Sequence, residues 1–136
     1  MATFQFDLVS PEKLLLSGEV EQVDVPGSEG YFGVLPGHAP FVTTLRPGIL
    51  TIKRAEGELK VVVLGGFAEV SPSGLTVLAD TAATVEDFDR AMLTAQIKAS
   101  EEKIAKLEAS DVLDKELARL DHFRAIDYHL EGTAMH

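Results

Sequence analysis

Cysteine is absent from all 136 residues, which excludes disulfides, thiolate zinc sites, iron–sulfur clusters and cysteine nucleophiles together. The absence fits a reducing compartment. Basic residues are scarce: 12 Lys and Arg stand against 22 Asp and Glu, a formal net charge of −10. Phosphate neutralisation needs clustered Lys and Arg, so no nucleic-acid partner is expected. The same deficit disfavours direct attraction to an anionic membrane surface and leaves basic protein loops as suitable partners. Long apolar runs are missing too. The longest, Val61-Val62-Val63-Leu64, is strand-sized, far short of the ~20 residues that span a bilayer. The opening Met1-Ala2-Thr3-Phe4 has no basic segment followed by an apolar run, so no signal peptide is expected. Any service to a membrane would run through a partner.

Proline and glycine are missing from one part of the chain only. All six prolines and every glycine except Gly132 precede residue 85. The acidic excess does not follow that division: residues 1–84 hold five basic and ten acidic groups, residues 85–136 seven and twelve. The two parts differ in secondary-structure pattern instead. Within 1–84, β-rich runs span residues 4–9, 19–25, 41–45, 49–52, 59–64, 67–70 and 75–78. The alternation of 19–25 slips at Gln22. Turn signals separate the runs: Pro26-Gly27, Pro36-Gly37, Pro47-Gly48, Glu56-Gly57, Gly65-Gly66 and Pro72-Ser73-Gly74. Pro presets φ and Gly permits positive φ, so these pairs have a mechanism as turns. Short strands at spacings of about ten residues predict an antiparallel sandwich or barrel.

From Thr84 onward the pattern is helical. Thr84-Val85-Glu86-Asp87 reads as a capping box, with Glu86, Asp87 and Asp89 in a first helical turn, where the macrodipole favours negative charge. Phe88, Met92, Ala95 and Ala99 share a stripe, with Leu93, Ile97, Ile104 and Leu107 beside it. Ala109-Ser110-Asp111 interrupts, and Ser110 or Asp111 can cap a second helix. There Leu113, Leu117, Leu120 and Phe123 share a face, Ile126 and Leu130 continue it, and Gly132 is expected to end it. The predicted fold class is α+β: a β domain over residues 1–84 and an antiparallel helical hairpin over 85–136.

Chemistry-bearing motifs are few. In Gly27-Ser28-Glu29-Gly30-Tyr31-Phe32-Gly33 the glycines stand three apart, which is neither a dinucleotide fingerprint nor a phosphate loop. It reads as tight turns between strands, or as a docking loop presenting Tyr31 and Phe32. His38, His122, His129 and His136 include no i, i+4 pair, so no metal site is expected. His38 reads as a loop residue, and His122 and His129 as residues on exposed helix faces. No Ser-His-Asp arrangement stands out, and no catalytic residue is assigned. A small enzyme would require a deep pocket with convergent polar groups, for which the sequence offers no cluster.

The run from Gly27 through Gly33-Val34-Leu35-Pro36-Gly37-His38-Ala39-Pro40, then Leu45-Arg46-Pro47-Gly48, closely resembles the signature of the epsilon-subunit family of F-type ATP synthases. Gly65-Gly66-Phe67-Ala68-Glu69-Val70 and Val77-Leu78-Ala79-Asp80-Thr81-Ala82 resemble it too. The resemblance covers essentially the whole chain. It implies a β-sandwich of two five-stranded sheets followed by a helical hairpin, in a non-catalytic rotor subunit of the central stalk. The implied partners are the gamma subunit and the ring of c subunits, with the alpha/beta head reached through the hairpin. A start without a transit peptide resembles bacterial members, implying the cytoplasmic face of the inner membrane. The family's ring-facing loop maps onto Glu29, Tyr31, Phe32, His38 and Phe41, with Tyr31 the first choice for a contact. The resemblance also implies a regulatory hairpin that inhibits hydrolysis and, in some relatives, binds ATP. The matching positions are Asp87, Arg90 and Ala91, with Glu86 where relatives carry an apolar residue. Leu120-Asp121-His122-Phe123-Arg124-Ala125 repeats that pattern in the second helix, and Arg119 and Arg124 could face a phosphate. The ordinary alternative is that Asp87 and Arg90 form a surface i, i+3 pair.

Overall fold

A computed structural model describes residues 2–107 and 111–134. Ten strands come first: β1 (Phe4–Val9), β2 (Leu14–Val20), β3 (Gln22–Gly27), β4 (Gly30–Val34), β5 (Phe41–Leu45), β6 (Gly48–Arg54), β7 (Gly57–Val63), β8 (Gly66–Ser71), β9 (Gly74–Ala79) and β10 (Ala82–Thr84). Two helices follow, α1 (Arg90–Lys106) and α2 (Asp111–Ala134). The chain separates into two compact units, Met1–Glu86 and Asp87–His136.

In the first unit the ladder runs β10-β7-β6-β3-β5-β8-β9-β1-β2, with β4 paired to β3. β3 meets β5 through one register pair, Gly27 with Leu45. Two backbone bonds flank it, Ser28 N–H to Thr44 O and Arg46 N–H to Pro26 O. This narrow junction divides the ladder into two five-stranded layers, β10-β7-β6-β3-β4 and β5-β8-β9-β1-β2. The expected sandwich of two five-stranded sheets followed by a helical hairpin is the architecture observed. The parallel pairing of β1 with β9 departs from the antiparallel expectation.

Period-two alternation puts every second side chain between the layers. β1 buries Phe4, Phe6 and Leu8, β6 buries Leu50 and Ile52, and β9 buries Leu75, Val77 and Ala79. Each large apolar side chain buried this way stabilises the fold by about 1.5–3 kcal/mol before entropy is counted. The run at 19–25 is not one strand. Val20 ends β2 in one layer, Val23 belongs to β3 in the other, and Glu21 between them donates its N–H to Lys53 O. The slip at Gln22 marks where the chain changes layers. Pro26 and Gly27 are likewise not a turn. They end β3, and Ser28-Glu29 turn the chain between the paired Gly27 and Gly30. A proline is tolerated there because the ladder is ending.

The helical boundary also moves. Thr84 pairs with Val61 in β10, and Val85 N–H bonds to Lys60 O. α1 is capped instead by Asp89, whose carboxylate accepts the Ala91 N–H at 2.9 Å. Asp is among the strongest N-caps, and its first turn contains no acidic residue. The buried stripe of α1 is rotated by one position from the expected one: Leu93 and Ser100 are buried, while Met92, Ala95 and Ala99 are exposed. On α2, Leu120, Phe123, Ile126 and Leu130 are buried and Leu117 is exposed. α2 continues through Gly132 to Ala134, so Gly132 does not end it. Of the two expected caps, Ser110 lies outside the described residues, as does His136, and Asp111 is the first residue of α2. Among the described residues no helix is long and apolar enough to cross a membrane.

Candidate functional site

The two-residue Ser28-Glu29 turn places β4 antiparallel to β3, so Tyr31 and Phe32 point to opposite faces. Phe32 turns inward against the core and meets the Phe41 ring edge-on, with centroids 5.4 Å apart. Tyr31 lies on the outer face and is 53% exposed. Its hydroxyl accepts the Ile49 N–H at 2.9 Å, and the Arg46 guanidinium sits 5.1 Å from its ring centroid. Gly48 leaves the space: a Cβ there would stand 2.6 Å from both Tyr31 Oη and Pro26 Cβ. The hydroxyl is thereby anchored to β6 while about half of the side chain stays exposed.

The 35–38 turn, closed by His38 N–H to Leu35 O, brings His38 to the same end, its Nδ1 2.9 Å from Ala39 O. Glu29, Gly30, Tyr31, Phe32, His38 and Phe41 line one open depression. The five residues singled out in the sequence therefore converge, although the β4 segment was read there as turns or a docking loop rather than as a strand. Leu35 and Val42, both exposed, extend the apolar surface at this end. Such a surface suits contact with another protein more than catalysis.

A second surface was not legible from the runs alone. Register aligns Phe67 with Leu78, Leu78 with Val9, and Val9 with Leu14. These four form an apolar row across the outer face of the β5-β8-β9-β1-β2 layer, with Phe67 and Leu14 exposed. The adjacent row holds Val42, Glu69, Thr76, Asp7 and Ser17, so acid flanks the apolar strip.

The hairpin residues fall differently. Arg90 is paired across the helices with Asp127 at 2.8 Å, and Arg124 with Glu101 at 2.8 Å. Arg119 lies over the Phe123 ring at 5.1 Å. Asp87 is in the turn before α1 and Ala91 is in its first turn, where its N–H is taken by Asp89. Asp87 and Arg90 do not form the anticipated surface pair. His122 and His129 are half-buried rather than on fully exposed faces. Among the described residues no His, Asp and Glu cluster could hold a metal. Sequence reading also missed Ser100 and Glu116, which are buried and hydrogen-bonded to each other at 2.5 Å. Ser100 Oγ donates to Glu116 Oε1, and Lys103 Nζ reaches Glu116 Oε2 at 3.3 Å. The signal available was polar residues at stripe positions of both helices.

Comparison with known proteins gives three kinds of match. The family model for the ATP synthase, Delta/Epsilon chain, beta-sandwich domain matches residues 3–85. The chain is 58% identical to the ATP synthase epsilon chain of Afipia carboxidovorans and 58% identical to the ATP synthase epsilon chain 1 of Nitrobacter hamburgensis, over 100% of both chains in each case. A chain in the OSCP/F1/c-ring structure of Euglena gracilis mitochondrial ATP synthase superposes with a TM-score of 0.74 at 26% identity, covering 96% of this chain and 82% of that one. A chain in the central stalk/c-ring structure of Tetrahymena thermophila mitochondrial ATP synthase, at 14% identity and a TM-score of 0.58 over 99% and 98%, shares the fold.

Proposed function

The chain belongs to the ATP synthase delta/epsilon family, and from that premise we propose that it is a central-stalk rotor subunit, linking gamma to the ring of c subunits and coupling ion translocation to ATP synthesis. It does so without an active site of its own. The observation that carries this reading is the convergence of Glu29, Tyr31, Phe32, His38 and Phe41 in one exposed, aromatic-lined depression. In this reading the depression meets the polar loops of the ring. The aromatic bodies supply desolvated contact area, and Glu29 and His38 supply polar partners. The row Phe67–Leu78–Val9–Leu14, flanked by Glu69 and Asp7, offers gamma an apolar strip with acid beside it. The subunit then sits at the cytoplasmic face of the bacterial inner membrane, held there by its partners.

A regulatory role for the helix pair, inhibiting hydrolysis by reaching the alpha/beta head, is the second reading. It is favoured by the polar contacts that cross from α1 to α2 and can be exchanged for others. ATP would bind this closed pair only in competition with Asp127 and Glu101, which already hold Arg90 and Arg124.

Affinity purification of the tagged chain from detergent extracts of its native membranes tests the first reading. Gamma, the catalytic subunits and subunit c should be recovered. Tyr31→Ala/Phe41→Ala should lower ATP-driven ion pumping more than ATP hydrolysis, and Phe67→Glu should lower gamma recovery. Recovery of the chain alone, where the synthase stays intact, would overturn it.

A further inference from the structure

The interface between α1 and α2 repeats every seven residues. On α1 the inward positions are Leu93, Ile97, Ser100, Ile104 and Leu107, at spacings of four, three, four and three. On α2, Leu113, Glu116, Leu120 and Phe123 follow the same rhythm, and Ile126 and Leu130 continue the buried face. This is the pattern of a short coiled coil. Its weakness is degeneracy: apart from Ser100 every inward position of α1 is Leu or Ile, so a shift of seven carries Ile97 onto Ile104 and is mismatched only where Ser100 meets Leu93 or Leu107.

Ser100 breaks the repeat, and Glu116 answers it. Ser100 is 3% exposed and Glu116 8%. Both carboxylate oxygens are engaged, and both partners come from α1: Ser100 Oγ at one and Lys103 Nζ at the other. Ser100 and Lys103 are three apart, so they present donors on one helical face. Sliding α2 by a heptad in either direction would set Glu116 against Leu93 or Leu107, a buried carboxylate with no donor. Apolar contacts alone would tolerate that slide.

We propose that Ser100, Glu116 and Lys103 form a register key, selecting one antiparallel alignment of the helix pair rather than supplying its cohesion. Cohesion comes from Leu93, Leu120, Phe123, Ile126 and Leu130. The key works by excluding the slipped alternatives, the role best attested for polar residues in helical interfaces. The inference concerns the closed pair itself and does not rest on the rotor reading.

The natural chain has no cysteine, so Ala99→Cys and Ala118→Cys, both at exposed positions, give two unique nitroxide labels in the full chain. Pulsed electron–electron resonance should show a single narrow distance. In the Ser100→Ala/Glu116→Leu background, circular dichroism should show helix content retained. The distance should then split, with added populations displaced by up to about 10 Å, the rise of one heptad. An unchanged single distance in that background would overturn the proposal. Loss of the helical signal would overturn it equally, because the cluster would then be holding the helices together instead of aligning them.

Discussion

At the scale of the residue, Gly48 and Tyr31 depend on each other. A Cβ at position 48 would press on the Tyr31 hydroxyl and on Pro26 at 2.6 Å, and neither the strand nor the proline ring can yield far. Gly48→Ala is expected to destabilise the chain by about 1–3 kcal/mol. Tyr31→Phe, which only removes the acceptor of the Ile49 N–H, should cost about 0.5–1.5 kcal/mol. Urea denaturation of the single and double variants checks this. The pair should be non-additive by at least about 0.5 kcal/mol, because without the hydroxyl half of the overlap is gone. Glu116 makes a different prediction. The Ser100 hydrogen bond holds its carboxyl below the ordinary glutamate value of 4.5; burial opposes this, and Lys103 and the charge of Arg119 support it. A depressed folded value means that the contribution is complete above 4.5 and is lost as pH falls through the folded value. Helix stability of the wild type should therefore decline more steeply in acid than that of Glu116→Gln, as followed by circular dichroism.

At the scale of the element, the strands were legible where alternation was strict and the ends were marked by turns. Residues 4–8 alternate cleanly and lie within β1, and the runs 41–45 and 75–78, marked off by neighbouring turn residues, lie within β5 and β9. β4 was hidden because its glycines resemble a loop, and its pairing with β3 depends on a turn that Pro26-Gly27 seemed to occupy. The α1 stripe was misplaced by one position because apolar residues occupy two adjacent faces. Periodicity does not say which face meets α2; packing against Leu120 and Phe123 does. The five depression residues could be gathered only through the family signature, since the β3-β4 pairing and the Phe32–Phe41 ring contact, not spacing, bring them together. Gly66 carries a prediction at this scale. Its φ of +124° lies where side chains are strained, and an added Cβ would overlap the Leu78 carbonyl oxygen. Gly66 pairs with both Leu45 and Ala79, so Gly66→Ala should disrupt β8 against both neighbours. The cost should exceed the about 1–3 kcal/mol of backbone strain alone. A lowered melting temperature with faster amide exchange in β5 and β9 would register it.

At the scale of the whole molecule, the two units predict where the chain can be divided. A boundary after residue 84 would leave β10 intact but remove the Val85 N–H that bonds to Lys60 O. A cut after Ala83 would go further, deleting Thr84 and its pairing with Val61 at the edge of the β7 layer. The compact unit instead ends at Glu86. Residues 1–86 contain all ten strands of the described residues and the complete interlayer cluster from Phe4 to Ala79, so this fragment should fold alone with a cooperative thermal transition. The fragment 1–83 should melt lower, by the loss of the Thr84–Val61 ladder position and the Val85 bond, with the difference concentrated in β7. Because the depression at Tyr31 and the Phe67–Leu14 row both belong to the first unit, 1–86 should also retain whatever partners those surfaces hold. Full retention of gamma and ring subunits by 1–86, with hydrolysis altered, would assign coupling to the sandwich and regulation to the helices. Loss of every partner from a folded 1–86 would require the helix pair in assembly itself and would end that division of labour.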